Sequence, residues 1–146
     1  MRASINQIIT FACLLSLPYI SKAEEIERYF SMPFQQEIGY AQVVKHNNLL
    51  YVSGIIAKGA TLEEQLVSVY KALEKTLKSH GSSMSGVLNE RISVLNIDDL
   101  IKIQKVRRQF YPEGLYPASS WYQVNRLYTP SALIEVEVIA TTLVAH

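Results

Sequence analysis

Histidine and cysteine, the side chains that most often ligate transition metals, are few in this chain and widely spaced. Its three histidines form no spaced set, so no metal site is expected; they are His46, His80 and His146. Cys13 is the single cysteine and lies in the N-terminal apolar segment. A lone cysteine forms no intramolecular disulfide and no zinc–cysteine site. No cofactor is predicted. The candidate site residues are instead polar and aromatic side chains on or next to the predicted strands.

Residues 1–23 show the three-part pattern of a secretory signal peptide. Arg2 precedes an apolar run at residues 8–17, and Ser21-Lys22-Ala23 places small residues at the −3 and −1 positions of a cleavage site. The run is too short to span a bilayer comfortably. We therefore predict cleavage after Ala23 and a periplasmic or secreted mature chain of residues 24–146.

Two other interpretations of this segment are open. It could be a buried N-terminal helix of a cytosolic protein, although the three-part pattern favours export. A lipoprotein cleavage site at Cys13 is disfavoured, because Thr10 stands where an aliphatic residue is usual and apolar residues continue after the cysteine.

Cleavage after Ala23 changes the charge balance only slightly. It removes 2 of the 14 basic residues and none of the 13 acidic ones, which leaves a formal net charge of −1. A charge near zero without a long basic run argues against nucleic acid as a partner. No second apolar span is present, so no membrane association is expected after cleavage. The remaining 123 of the 146 residues suit a single domain.

The mature chain is predicted to contain seven elements in the order β-β-α-β-α-β-β. Residues 24–38 are interpreted as a lead-in loop or a short edge strand. The first helix is expected to begin with a capping box at Thr61 and the second at Asp98-Asp99. The strands are expected at 40–45, 49–55, 87–95, 118–127 and 132–144. This pattern predicts an α+β domain with two helices on one face of a mixed sheet.

Four motifs recur in order along the mature chain. They are Tyr40-Ala41-Gln42-Val43-Val44, Tyr51-Val52-Ser53-Gly54-Ile55, the helix residue Gln65, and Ile134-Glu135-Val136-Glu137-Val138-Ile139-Ala140. In these motifs, from about Tyr40 to Ala140, the chain resembles the RidA family (also called YjgF/YER057c/UK114). The resemblance implies a chorismate-mutase-like fold and a homotrimer with three small-molecule clefts at the subunit interfaces.

The resemblance also implies a chemistry. Active members hydrolyse reactive enamines and imines, for which they need a cation on the substrate carboxylate, an acid/base that orients water, and backbone donors. The water-orienting glutamate matches Glu135, the tyrosine of the cleft matches Tyr40, and the backbone near the ligand matches Ser53 and Gly54.

This chain departs from the family pattern at two positions. Active members have Pro-Ala-Arg-Ser where this chain has Pro117-Ala118-Ser119-Ser120, so the arginine that holds the carboxylate is Ser119 here. Trp121 stands where the family has a small residue. Strand alternation puts Ser119, Trp121 and Gln123 on one face, so we expect Trp121 to project into or over the same cleft.

Each of these residues also has a structural interpretation. Glu135 could be an interfacial glutamate, Tyr40 a core aromatic residue, Ser53-Gly54 a close backbone approach, and Trp121 an interface filler. Among the cations, Arg126 should lie on the opposite face of its strand from Ser119. Arg107 and Arg108 are expected to be solvated on the second helix.

Two functional hypotheses follow. The first is a trimer that binds a small molecule in a remodelled cleft without 2-imino acid deaminase activity. The alternative is an enamine or imine hydrolase for a different, uncharged substrate, with Glu135 orienting water. The absent arginine favours the first hypothesis. So does the predicted export, because the enzymes that release 2-imino acids are cytosolic.

Overall fold

A computed structural model describes residues 25–142 of the chain, so the predicted signal peptide lies outside the described residues. They form six strands, three α-helices and a 3₁₀ turn. In chain order these are β1 (Ile26–Tyr29), α1 (Pro33–Ile38), β2 (Val43–His46), β3 (Leu49–Ile55), α2 (Leu62–Ser79), the 3₁₀ turn (Met84–Gly86), β4 (Val87–Val94), α3 (Ile97–Arg108), β5 (Ala118–Gln123) and β6 (Ile134–Thr141).

The six strands form one mixed sheet in the order β1-β2-β3-β6-β4-β5. The β4–β5 pair is parallel and the other neighbouring pairs are antiparallel. The predicted α+β class and mixed sheet are confirmed. Two elements precede the seven predicted ones: β1, which is the edge strand that we considered for residues 24–38, and α1. Six residues are too few for α1 to show helical periodicity.

Capping residues determine where the two long helices, α2 and α3, begin. The Thr61 hydroxyl accepts a hydrogen bond from the Glu64 amide at 3.2 Å, which confirms the predicted cap of α2. Helix α3 begins slightly earlier than predicted, because the Asn96 side chain accepts from the amides of Asp98 and Asp99 at 3.0 and 3.2 Å. Between β2 and β3, Asn47 adopts a φ of 56°, which asparagine tolerates in tight turns.

The hydrophobic core lies between the sheet and the pair α2 and α3. Strand β6 shows why the sheet has two different faces: Ile134, Val136, Val138 and Ala140 are buried, and the residues between them are half-buried. We call the side away from the two helices the open face. Tyr51 and Tyr122 are still 42% and 49% exposed there.

Within residues 25–142, no helix is both long and apolar enough to cross a membrane.

Candidate functional site

A cavity of about 600 Å³ lies where α1 and the loop before β6 meet β3. Four of the six candidate residues line it: Tyr40, Ser53, Gly54 and Glu135. The other lining residues are Ser31, Met32, Phe34, Gln35, Ile38, Gln42, Ile55, Ile56, Tyr128 and Thr129. None of these fourteen described residues is a lysine, arginine or histidine. We call this space the Glu135 cavity.

Gly54 allows the Glu135 carboxylate to pack directly on the β3 backbone. A Cβ atom added to Gly54 would lie 2.0 Å from Oε1 of Glu135, which is closer than any real contact. The pairing of β3 with β6 shifts register between Val52 and Ile55, and the irregular segment contains Gly54. A glycine inside a strand often marks such a close approach. The sequence therefore contains a glycine where the carboxylate needs the space.

The Glu135 carboxylate is partly desolvated and has no counter-ion among residues 25–142. No side chain or backbone amide of residues 25–142 forms a hydrogen bond or ion pair with it. Burial, and to a smaller extent the negative charge of Glu137, raise the pKa of Glu135 above its usual value. A carboxylate with a raised pKa and unused acceptor atoms is suited either to acid/base work or to binding a cationic group.

We expect Gly54→Ala to displace this carboxylate while the fold is retained, because the atoms nearest to the new methyl group all belong to the Glu135 side chain and none to the backbone. The displaced carboxylate should become better hydrated, so the pKa of Glu135 should fall toward its ordinary value. NMR titration of the glutamate side-chain carbons measures the change. Ser53→Ala is the matched control and should leave the pKa raised. An unchanged pKa in Gly54→Ala would contradict the packing described here.

Gln35 supports the floor of the Glu135 cavity, and sequence reasoning missed it. This side chain is only 2% exposed. Its Nε2 donates to Oε1 of Gln42 at 2.8 Å and to the Tyr40 hydroxyl at 3.3 Å. Its Oε1 accepts from the Ser31 amide at 2.7 Å. These bonds attach α1 to the segments on either side of it and hold Tyr40 in the cavity. No periodic signal marked Gln35, because α1 is so short.

Three aromatic side chains line the same cavity: Phe34, Tyr40 and Tyr128. Phe34 and Tyr40 make an edge-to-face contact with centroids 6.4 Å apart and an interplanar angle of 68°. Both Phe34 and Tyr128 are exposed in this subunit. The cavity therefore combines one carboxylate with three aromatic rings.

Ser119 and Trp121 lie away from the Glu135 cavity, on the other side of the sheet. Ser119 is in register with Glu90 on β4, and its hydroxyl donates to Oε2 of Glu90 at 2.7 Å. The Trp121 Nε1 donates to the Ser119 hydroxyl at 2.8 Å. The expectation that the two residues share a strand face is confirmed. Within one subunit, strand alternation directs the side chains of Trp121 and Glu135 to opposite faces of the sheet. The expectation that Trp121 projects into or over a cleft between subunits stays a prediction.

Glu90 is fully buried and is the acceptor of a polar cluster. Tyr111 donates to its Oε1 at 2.6 Å, and Tyr70 donates to the same atom. Arg107 approaches Oε2 through Nε at 2.8 Å and through Nη2 at 2.6 Å. We call these four residues together with Ser119 the Glu90 cluster. Burial, and to a smaller extent the negative charge of Glu90, raise the pKa of both tyrosines. Both hydroxyl groups therefore remain protonated and donate hydrogen bonds at neutral pH.

The structure corrects the prediction that Arg107 is solvated. Arg107 is only 7% exposed. Its guanidinium carbon lies 5.0 Å from the centroid of the Tyr111 ring and 5.5 Å from that of Trp121. The burial of Arg107 could have been predicted from helical spacing. Arg107 follows Leu100 by seven residues and Ile103 by four, so it lies on the apolar stripe of α3. Arg108, the next residue, is exposed as predicted.

Among residues 25–142 there is no group of three His, Cys, Asp or Glu side chains that could hold a metal ion.

Comparison with known proteins identifies the family. The sequence profile described as endoribonuclease L-PSP matches residues 33–142. The protein named mmf1, mitochondrial, from Schizosaccharomyces pombe is 31% identical over 109 residues, which cover 69% of this chain and 67% of the relative. A 2-iminobutanoate/2-iminopropanoate deaminase from Dermatophagoides farinae is 28% identical over 123 residues, which cover 77% of this chain and 94% of the relative.

The fold is shared with solved structures. Rv2704 from Mycobacterium tuberculosis, described as a member of the YjgF/YER057c/UK114 family, superposes with a TM-score of 0.74 at 24% identity. The superposition covers 81% of this chain and all of that one. The profile match extends over most of the described residues and includes every residue of the Glu135 cavity except Ser31 and Met32. The chain therefore belongs to the RidA (YjgF/YER057c/UK114) family and is related to imino acid deaminases.

Proposed function

We propose that the mature protein is an exported homotrimer that binds a small molecule in the Glu135 cavity and does not hydrolyse 2-imino acids. The observation that carries the proposal is the composition of the cavity. It has the volume of a ligand site and the family-matching residues Tyr40, Ser53, Gly54 and Glu135. It has no cationic side chain among the described residues to hold a substrate carboxylate.

Neither Ser119 nor Arg107 supplies the cationic group that the Glu135 cavity lacks. The Ser119 hydroxyl already donates to Glu90, and a hydroxyl cannot make the bidentate contact of a guanidinium. Arg107 has the required group, but it is ion-paired with Glu90 and covered by Tyr111 and Trp121.

The proposed trimer rests on the open face of the sheet and on the family resemblance. Tyr51 and Tyr122 leave large apolar surface exposed on that face, and such a surface is commonly covered by other subunits. The family resemblance, rather than the geometry of one subunit, is what suggests that a neighbour's β5 contributes to each cleft. The formal charge near zero gives no reason to propose a nucleic-acid partner.

A second candidate function is hydrolysis of an imine or enamine that lacks a carboxylate. The raised pKa of Glu135 favours this second function, because a carboxyl group whose pKa lies closer to neutral pH is a better general acid/base. This candidate uses the same cavity and the same bound molecule, followed by attack of an oriented water.

Native mass spectrometry of the protein recovered from its own host tests the proposal. We expect an assembly of three chains that each begin at Glu24, with additional mass from a small molecule that is lost on denaturation. Gly54→Ala should reduce the bound fraction, and Ser120→Ala, which changes a β5 residue outside the cavity, should not. A monomer, a chain retaining residues 1–23, or a ligand-free trimer would each contradict the corresponding part of the proposal.

A further inference from the structure

We infer that the ligand of the Glu135 cavity is an organic cation with an apolar substituent and no carboxylate, such as an ammonium or protonated imine. This inference rests on the proposed function, since it requires that the cavity bind a small molecule. It is drawn from the charge and the lining of the cavity.

The charge in the cavity is negative and not compensated by the described residues. Glu135 is the single ionisable acid or base, apart from tyrosine, among its fourteen described lining residues. The next carboxylate on the strand, Glu137, is already paired with Arg91 at 2.6 Å. A cationic ligand would therefore gain Coulomb attraction from Glu135, and an anionic ligand would be repelled by it.

The aromatic lining favours the same class of ligand. Phe34, Tyr40 and Tyr128 present rings around a cavity of about 600 Å³, and an aromatic face attracts a cation that is brought within about 6 Å of it. A combination of aromatic rings with a carboxylate is suited to alkylammonium groups. The apolar side chains would accommodate the rest of the ligand; they are Met32, Ile38, Ile55 and Ile56.

A set of four probes that share one phenyl ring separates the possibilities. They are 2-phenylethylamine as the cation, 2-phenylethanol as the neutral form, 3-phenylpropanoate as the anion, and phenylalanine as the zwitterion. Isothermal titration of the purified protein in its native assembly at pH 7 gives their Kd values. We expect the amine to bind at least about tenfold more tightly than the alcohol, and the carboxylate most weakly.

Two variants on the same face of β6 test the source of the preference. Glu135→Gln should bring the ratio of alcohol Kd to amine Kd close to one. Glu137→Gln is the matched control, two residues along the strand and outside the cavity, and should retain the preference. Lowering the pH through the raised pKa of Glu135 should weaken amine binding, because the protonated carboxyl no longer attracts a cation.

The outcomes distinguish this inference from the proposed function. Equal or tighter binding of the alcohol or the carboxylate would overturn the cation inference and leave the proposed binding function standing. A preference for the amine that survives in Glu135→Gln would also overturn it. If none of the four probes bound to the folded assembly, both the cation inference and the proposed binding function would be overturned.

Discussion

The purified protein should hydrolyse 2-iminopropanoate at least about a hundredfold less efficiently, in kcat/KM, than a RidA relative that has the arginine. A desolvated, bidentate contact between arginine and carboxylate contributes a few kcal/mol, and each 1.36 kcal/mol corresponds to tenfold in rate. This chain has Ser119 at that position, and the serine hydroxyl is bonded to Glu90. Glu135, moreover, repels an anionic substrate in the cavity that it lines.

A coupled assay that generates the imine with an amino-acid oxidase measures this rate directly. An arginine-bearing relative assayed in parallel is the positive control. Turnover comparable to that of the relative would refute the prediction. It would also mean that a cation outside the described lining reaches the substrate.

Substitutions at the two divergent positions extend the test. Ser119→Arg alone should recover little activity, because Trp121 remains and because the new guanidinium would lie beside the Glu90 carboxylate. Ser119→Arg with Trp121→Cys should recover more, and adding Glu135→Ala should abolish whatever is recovered. Ser120→Arg is the positional control, since its side chain faces the other side of the sheet. An inactive but trimeric double variant would favour the binding function.

The variant Glu90→Gln should lower the free energy of unfolding by about 3–5 kcal/mol. Removing one partner of a buried ion pair leaves the charge of the other partner uncompensated. The variant leaves the Arg107 guanidinium buried without its carboxylate. It also weakens the bonds that Tyr70, Tyr111 and Ser119 donate to that carboxylate, and these residues join α2, β5 and the segment after α3 to β4.

Urea unfolding at a fixed protein concentration measures the loss. Glu137→Gln is the matched control, because it breaks the ion pair with Arg91 on the same sheet, where both side chains are about half exposed. That change should cost no more than about 1 kcal/mol. If the two variants lost similar amounts of stability, the Glu90 cluster would not hold the helices to the sheet as described.

Much of the fold could be predicted from local sequence. The capping residue Thr61 and the two-residue alternation along β6 act within a few positions of themselves, so the sequence shows them directly. For the same reason, strand alternation was enough to put Ser119 and Trp121 on one face. The cap of α3 at Asn96 was missed, because the sequence pattern indicated Asp98 and Asp99 as the start of that helix. Helix α1 escaped prediction because a six-residue helix carries too few residues for a periodic signal.

The candidate site depended on long-range pairing that local patterns do not encode. The sequence by itself determined the residue types: a glutamate at 135, a glycine at 54 and a serine at 119. Only the tertiary structure brought Glu135 against Gly54, because that contact depends on the irregular pairing of β3 with β6. It also decided that Ser119 faces the buried Glu90 and that Arg107 is enclosed, because those positions follow from how β4, β5 and α3 pack together.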